Sequence, residues 1–523
     1  MSLARKRITI ESLPPEILHD ILVYLKHCKS NLVNTCLVSK KFRSASLPLL
    51  YETVILRFDY DGRRLQKQFA SILAYEHAGL TFVKNFGIQG SLDCQDQIIN
   101  YGSVLQKVKE SGKKTMMFSC LMLSVLRRFK DGQLQNFMLV NVPLFVNMLQ
   151  GAWIFGPDDL QNTGSIEGGL FTFLNTKAQL RELHLGGIKE MSHVANILNN
   201  FDQMSNKLRG LTIQLQDTRF LEELMRSPEN WQKYQRSYSL EVDQSFRPSF
   251  PWLTRLSFQE VDDGFFEGIR QIDCIFPLEQ LEQLKFTCSG DISSTLDHMT
   301  GKCTHLKVFY LWGGTNETAL SKYLVSLPQL KELVLNIHNA QLANLDNLQL
   351  DRHSQSLTKL YLRFQTDEDQ PSGSWLLRLL ERGCSFPKLA EVALSMSIEE
   401  FVALRDQDYL LPQLEFLWLL QSKSTWCKEK FELDNMIPVL RPLFRYHISS
   451  PKWRFFAIGD RPRNDNWPII YEFCESLTVQ NKICTGLEYV THRTMFEHNP
   501  DLTLLNCFEI WLPWEEERNF VIF

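Results

Sequence analysis

Along most of the chain the apolar positions recur in one short phrase: an apolar residue, two free positions, a second apolar residue, one free position and a third. It reads Val83/Phe86/Ile88, Leu134/Phe137/Leu139, Leu180/Leu183/Leu185, Leu208/Leu211/Ile213 and Leu253/Leu256/Phe258 in the first half. It continues as Leu281/Leu284/Phe286, Leu306/Phe309/Leu311, Leu330/Leu333/Leu335, Leu357/Leu360/Leu362, Leu389/Val392/Leu394 and Leu414/Leu417/Leu419. The last two positions alternate, as on a strand with one buried face. Between phrases the apolar residues take helical spacing, as in Leu320, Tyr323, Leu324 and Leu327, or Leu376, Leu377, Leu379 and Leu380. Each unit is therefore predicted to be a strand followed by a helix. One such unit cannot close its own core, so neighbours must stack with their strands parallel. From Leu253 to Leu414 the phrases start about 24 to 32 residues apart, and the earlier ones are wider and irregular. A doubly wound α/β domain is the alternative, with fewer and longer crossovers.

On each predicted strand the residue between the two inner apolar positions points the other way. These residues are His184, Thr212, Ser257, Lys285, Tyr310, Val334, Tyr361, Ala393 and Trp418, with Trp312 one alternation beyond Tyr310. They are expected to line an open concave surface. Exposed aromatic anchors are typical of interface hot spots, so His184, Lys285, Tyr310, Trp312, Tyr361 and Trp418 become candidate contacts for a bound protein. The bland alternative is that loops or the C-terminal region cover the rings.

The first fifty residues follow another rhythm. Ser12 to Leu25 opens with Pro14 and Pro15 and then places Ile17, Leu18, Ile21, Leu22 and Leu25 at helical spacing. A second helical run starts near Ser30 and carries Leu32, Val33, Cys36 and Leu37 before the polar Ser39, Lys40 and Lys41, and then Phe42. A third short piece holds Leu47, Leu49, Leu50 and Tyr51. So small a module leaves much apolar surface wet and needs a neighbour. It either caps the rest of the chain or docks another protein. The order Leu13-Pro14, Glu16-Ile17, Ile21, Leu25, Leu32, Leu37-Val38-Ser39-Lys40, Phe42-Arg43 and Leu50-Tyr51 resembles the F-box over about residues 8–53.

That resemblance implies a three-helix module that binds a Skp-type adaptor, and through it the cullin and RING subunits of an SCF ubiquitin ligase. Carried over, Leu13, Pro14, Ile17, Ile21, Leu25, Leu32, Val38 and Phe42 would be shared between the module's own packing and the adaptor surface. The body from 54 to 440 resembles the irregular leucine-rich repeats found behind F-boxes, with the usual repeat asparagine largely absent. The chain is thus read as an α/β protein: a three-helix F-box, a leucine-rich-repeat solenoid, and a C-terminal cap over 441–523. The last segment breaks the rhythm and is rich in aromatics, including Trp453, Phe455, Phe456, Trp467, Tyr471, Phe473, Trp511 and Trp514. In this reading the protein is a substrate receptor whose target is unknown. A scaffold that never delivers a target to ubiquitination is the alternative.

Composition narrows the chemistry. With 523 residues, 44% hydrophobic and 22% charged, the chain has the make-up of a folded protein. A net charge of −4 gives no general attraction to nucleic acid, and the basic spot at Arg127, Arg128 and Lys130 is read as a solvated face. The 12 cysteines form no CxxC pair or zinc-spaced cluster and read as buried thiols of a reducing compartment, cytoplasmic or nuclear. No apolar run approaches the length of a membrane span, and the start of the chain does not resemble a secretory signal. Asn316-Glu317-Thr318 fits a glycosylation triplet, common by chance and discounted here. No phosphate-binding loop, nucleophile elbow or zinc-protease motif is present, so no catalytic residue, cofactor or metal is expected.

Overall fold

The computed structural model describes residues 10–25, 29–58, 78–90, 125–140, 178–188, 207–215, 252–261, 276–338, 345–365, 372–395, 410–420, 454–459, 469–479 and 482–490, with a few single positions between. The chain divides into two compact units, the first holding the described elements up to Glu260 and the second those from Leu278 onward. No helix among the described residues is long and apolar enough to cross a membrane.

The first unit opens with a 3-10 turn, Ile10–Ser12, and three helices: α1 (Pro15–Val23), α2 (Lys29–Val38) and α3 (Lys40–Tyr51). Six strands follow: β1 (Thr53–Phe58), β2 (Asn85–Gly90), β3 (Leu134–Val140), β4 (Ala178–Ile188), β5 (Gly210–Leu215) and β6 (Arg255–Val261). Each pairs in parallel with the next. The second unit carries β7 (Gln283–Asp291), α4 (Ser293–Met299), β8 (Val308–Gly314), α5 (Glu317–Ser326), β9 (Glu332–His338), β10 (Lys359–Gln365), α6 (Ser372–Glu381), β11 (Glu391–Ser395), β12 (Phe416–Leu420) and β13 (Phe455–Ile458). Here β7 to β13 again pair in parallel in chain order. The direction then reverses in an antiparallel pair, β14 (Ile469–Val479) with β15 (Lys482–Val490).

The recurring phrase sets the register. Leu183, Leu211 and Leu256 lie opposite one another in the first unit, and Leu284, Phe309, Leu333, Leu360, Val392 and Leu417 in the second. All are buried, which places the main core on that face of each sheet. One backbone device repeats at nine junctions. The carbonyl just before a strand accepts from two successive N–H groups at the entry to the next, at 2.7–3.2 Å, as Lys331 does from Thr358 and Lys359. Buried backbone groups must be paired, and this staple satisfies them where each strand starts.

The helices between strands follow the predicted spacing. In α5 Leu320, Tyr323 and Leu324 are buried, and the side chain of Asn316 caps the helix by accepting from the Ala319 N–H at 2.8 Å. The glycosylation-like triplet is thus a helix start. A short polar ladder links the strand starts of the first unit, at a position other than that of the repeat asparagine. Asn85 donates to Thr53 and Asn136 donates to Asn85, at 2.8 and 2.6 Å.

The opposite face of the second unit departs from expectation. Tyr310, Val334, Tyr361, Ala393 and Trp418 do alternate away from the main core, in one row across the strands. They are nevertheless buried, in a second apolar cluster completed by Phe416, Leu420, Phe455, Ala457 and Ile470. Trp312 is buried as well, and Lys285 is half-buried with its ammonium 4.2 Å over the Tyr310 ring. In the first unit His184 is also buried. The open concave surface predicted for these residues is therefore corrected. The physical reason lies in β11 and β12, which are buried at every position and so have apolar contacts on both faces.

Candidate functional site

The three N-terminal helices carry a surface unlike the rest of the described protein. Pro14 takes an extended conformation and Pro15 opens α1, where a missing N–H is harmless. On α1 two apolar stripes run side by side. Leu18 and Leu22, four apart, face inward and are buried, whereas Ile17, Ile21 and Tyr24 continue the other stripe and are 45%, 40% and 88% exposed. In α2 Leu32 is wholly buried and Cys36 half-buried, while Val33 and Leu37, one turn apart, point outward. The helix α3 is the spine. Ser39 caps it by accepting from the Phe42 N–H at 3.3 Å, and Ala45, Leu49 and Leu50 close the small core with Leu18, Leu22 and Leu32. His19 Nδ1 lies 3.4 Å from the Ala45 carbonyl, which ties α1 to α3.

Eight large apolar side chains are exposed among the described residues, and seven of them belong to this module: Ile10, Ile17, Ile21, Tyr24, Val33, Leu37 and Val38. Single exposed leucines elsewhere would need no explanation, but this concentration within 29 consecutive residues does. The aliphatic members together expose about three full side chains, about 5–10 kcal/mol of gross transfer free energy if covered. An apolar face of this kind is suited to covering by another protein.

Four of the residues expected at an adaptor surface lie on this face: Pro14, Ile17, Ile21 and Val38. Leu13, Leu25 and Phe42 are half-buried and pack on the module's own core. Leu32 falls wholly on the packing side of that division, sealed in the core with no surface to offer an adaptor. Sequence reasoning missed Ile10, Tyr24, Val33 and Leu37 as surface contributors. For Val33 and Leu37 the signal was present in their spacing of one helical turn, offset from the buried Leu32 and Cys36 stripe.

At its far end the module joins β1 directly. The Glu52 carbonyl accepts from Lys84 and Asn85, and the Glu52 carboxylate pairs with Lys84 at 2.8 Å. Gly79 sits against the Tyr51 ring so closely that an added Cβ would stand 2.5 Å from it.

None of the residues expected to contact a target forms an open site in the second unit. Tyr361 and Trp418 meet edge to face with ring centroids 5.6 Å apart, and Trp418 Nε1 donates to the Gly459 carbonyl at 2.9 Å. These are core contacts. The expected solvated spot at Arg127, Arg128 and Lys130 is exposed.

Compared with known families, residues 10–57 match the model for F-box-like domains. No curated protein matches the chain.

Proposed function

We propose that the protein is the substrate-recognition subunit of an SCF-type ubiquitin ligase. In this reading residues 10–57 dock a Skp-type adaptor, which brings cullin and RING subunits, and the body holds a target protein near the ubiquitin-transfer machinery. The chain performs no bond chemistry itself. The observation that carries the proposal is the exposed apolar face of α1 and α2, found where the F-box-like match lies. We read the body as an irregular leucine-rich-repeat solenoid with a C-terminal cap. Parallel pairing in chain order within each unit and the staple repeated at nine junctions support that reading. An intracellular setting follows from the ligase role.

Affinity purification of the full chain, compared with a variant carrying Ile17→Glu and Leu37→Glu, tests this. Loss of cullin and adaptor from the variant is the expected result, with body-bound partners retained. Equal recovery of cullin in both would refute it.

A further inference from the structure

In the second unit the face turned away from the main core is closed by its apolar cluster, and space opens instead among the helices and turns. Between β9 and β10 the chain makes two 3-10 turns, Leu345–Leu348 and Leu350–His353. These turns and the end of α6 line a half-open cavity of about 550 Å³, within the roughly 300–1,000 Å³ of ligand clefts. Its floor is apolar: Leu350 and Trp375 are each 1% exposed, and Leu379 is 7% exposed. Its rim is charged, with Asp346 and Asp351 from the turns and Arg382 from just past α6. Asp351 and Arg382 are exposed and Asp346 is half-buried.

Two backbone features shape it. Gln349 takes the left-handed conformation, φ 47°, uncommon for a residue with a Cβ, and breaks the segment into two turns so that Asp346 and Asp351 both line the cavity. Gly383, φ 81°, ends α6: its N–H donates to the Leu380 carbonyl, and that of Cys384 to the Leu379 carbonyl. A Cβ added at Gly383 would meet nothing within 4 Å, so this wall is bare backbone facing open space.

Charge decides what suits the cavity. Its lining holds two carboxylates and one guanidinium, and Arg382, 3.6 Å from Asp346, offsets one of the two. Arg352, the neighbouring cation, donates to the Val325 carbonyl on α5 and does not line the cavity. Arg378 and Glu381 on α6 are exposed, opposite in charge and outside the lining. The closing turn of α6 adds the partial negative charge of a helix C-terminus. The field is therefore negative over an apolar floor. That combination favours a cation on an aliphatic stem and repels a carboxylate or phosphate.

We propose that this cavity holds an arginine or lysine side chain of a bound polypeptide, its stem on Leu350, Trp375 and Leu379 and its charged head beside Asp351. The volume leaves room for an apolar neighbour of that residue, and the open side lets its backbone pass. The inference rests on the body being the target-binding part, and it assigns to the target an unphosphorylated basic residue next to an apolar one.

Titration calorimetry on the full-length chain without the adaptor tests it, with acetyl-Leu-Arg-Leu-amide at millimolar concentration and its counterparts carrying Gln or Glu in the middle. The Arg peptide is expected to bind, the Gln peptide about 3- to 5-fold more weakly, and the Glu peptide undetectably. D351N is expected to weaken the Arg peptide about 3- to 5-fold, and R382Q, which removes the offsetting charge, to strengthen it by a similar factor. Both positions are exposed, so the melting temperature of these variants should not move. C384F, which puts a ring into the cavity from a half-buried position, is expected to abolish binding. Equal binding of the three peptides, no detectable binding of any, or an Arg-peptide affinity indifferent to D351N and C384F would overturn the proposal. Butylguanidinium binding as tightly as the peptide would mark a site for a free small cation and overturn the polypeptide assignment. None of these changes touches residues 10–57, so failure of the ligase reading would show in adaptor binding and failure of this one in the peptide titration.

Discussion

Replacing Trp418 by alanine separates a core role from a binding role. The side chain is fully buried, meets Tyr361 edge to face, and donates from Nε1 to the Gly459 carbonyl. Truncating a buried tryptophan costs about 3–5 kcal/mol, the upper part applying where a hydrogen bond is lost as well. At about 2–4 °C per kcal/mol for a unit of this size, the melting temperature of the second unit should fall by about 10–15 °C. Differential scanning calorimetry on the full chain, with circular dichroism at the same temperatures, would follow it. Trp418→Phe keeps a ring against Tyr361 but strips the donor, and should cost about 1–2 kcal/mol. An unshifted transition in Trp418→Ala, together with loss of a bound protein, would mean that the ring is an exposed anchor and that the second core has been misread.

Two further perturbations have definite outcomes. Buried His184 in the first unit and buried His353 in the second both have imidazoles held down at about 4, chiefly by burial. The His353 ring also accepts at Nδ1 from the Leu330 N–H at 3.3 Å. A folded-state value below the unfolded one, about 6.5, means that this stability is complete above pH 6.5 and is lost as pH falls toward 4. Each histidine should contribute up to about 3 kcal/mol of that loss, read as a falling urea midpoint between pH 7 and 4.5, and a flat midpoint over that range would contradict the burial argument. Leu32→Ala and Leu37→Ala should diverge: the first removes a sealed core side chain and costs about 2–5 kcal/mol, while the second leaves the melting temperature within about 1 °C. Equal destabilisation by both would mean that α2 is rotated from the orientation described.

Much of the body was legible because leucine at alternate positions can be read without knowing what covers the other face. The pairing of Leu183 with Leu211, or of Leu360 with Val392, follows from the phrase itself. Burial of the intervening residues was not legible. Tyr361 and Trp418 are amphipathic rings that suit an interface or a core equally, and only contacts with Phe455, Ala457 and Ile470, far along the chain, decide between them. The apolar runs in β11 and β12 carried a hint, since a strand with one wet face alternates. In the helical module the three elements follow the apolar spacing, but α3 begins at Lys40, just after the Ser39 cap, well ahead of the Leu47-to-Tyr51 piece that marks it in the sequence. Both stripes of α1 are apolar, so spacing alone could not say that Leu18 and Leu22 go inward and Ile17 and Ile21 outward. That choice is made by packing on Leu49 and Leu50.

The ligase role requires that the outward stripe of α1 and α2 be a protein-binding surface. Purified full-length chain titrated against a purified Skp-type adaptor in a calorimeter measures this directly. Tight association is predicted, weakened at least 100-fold in the Ile17→Glu, Leu37→Glu variant with its melting temperature unchanged. No detectable heat with the wild-type chain, or undiminished affinity in the variant, would contradict it.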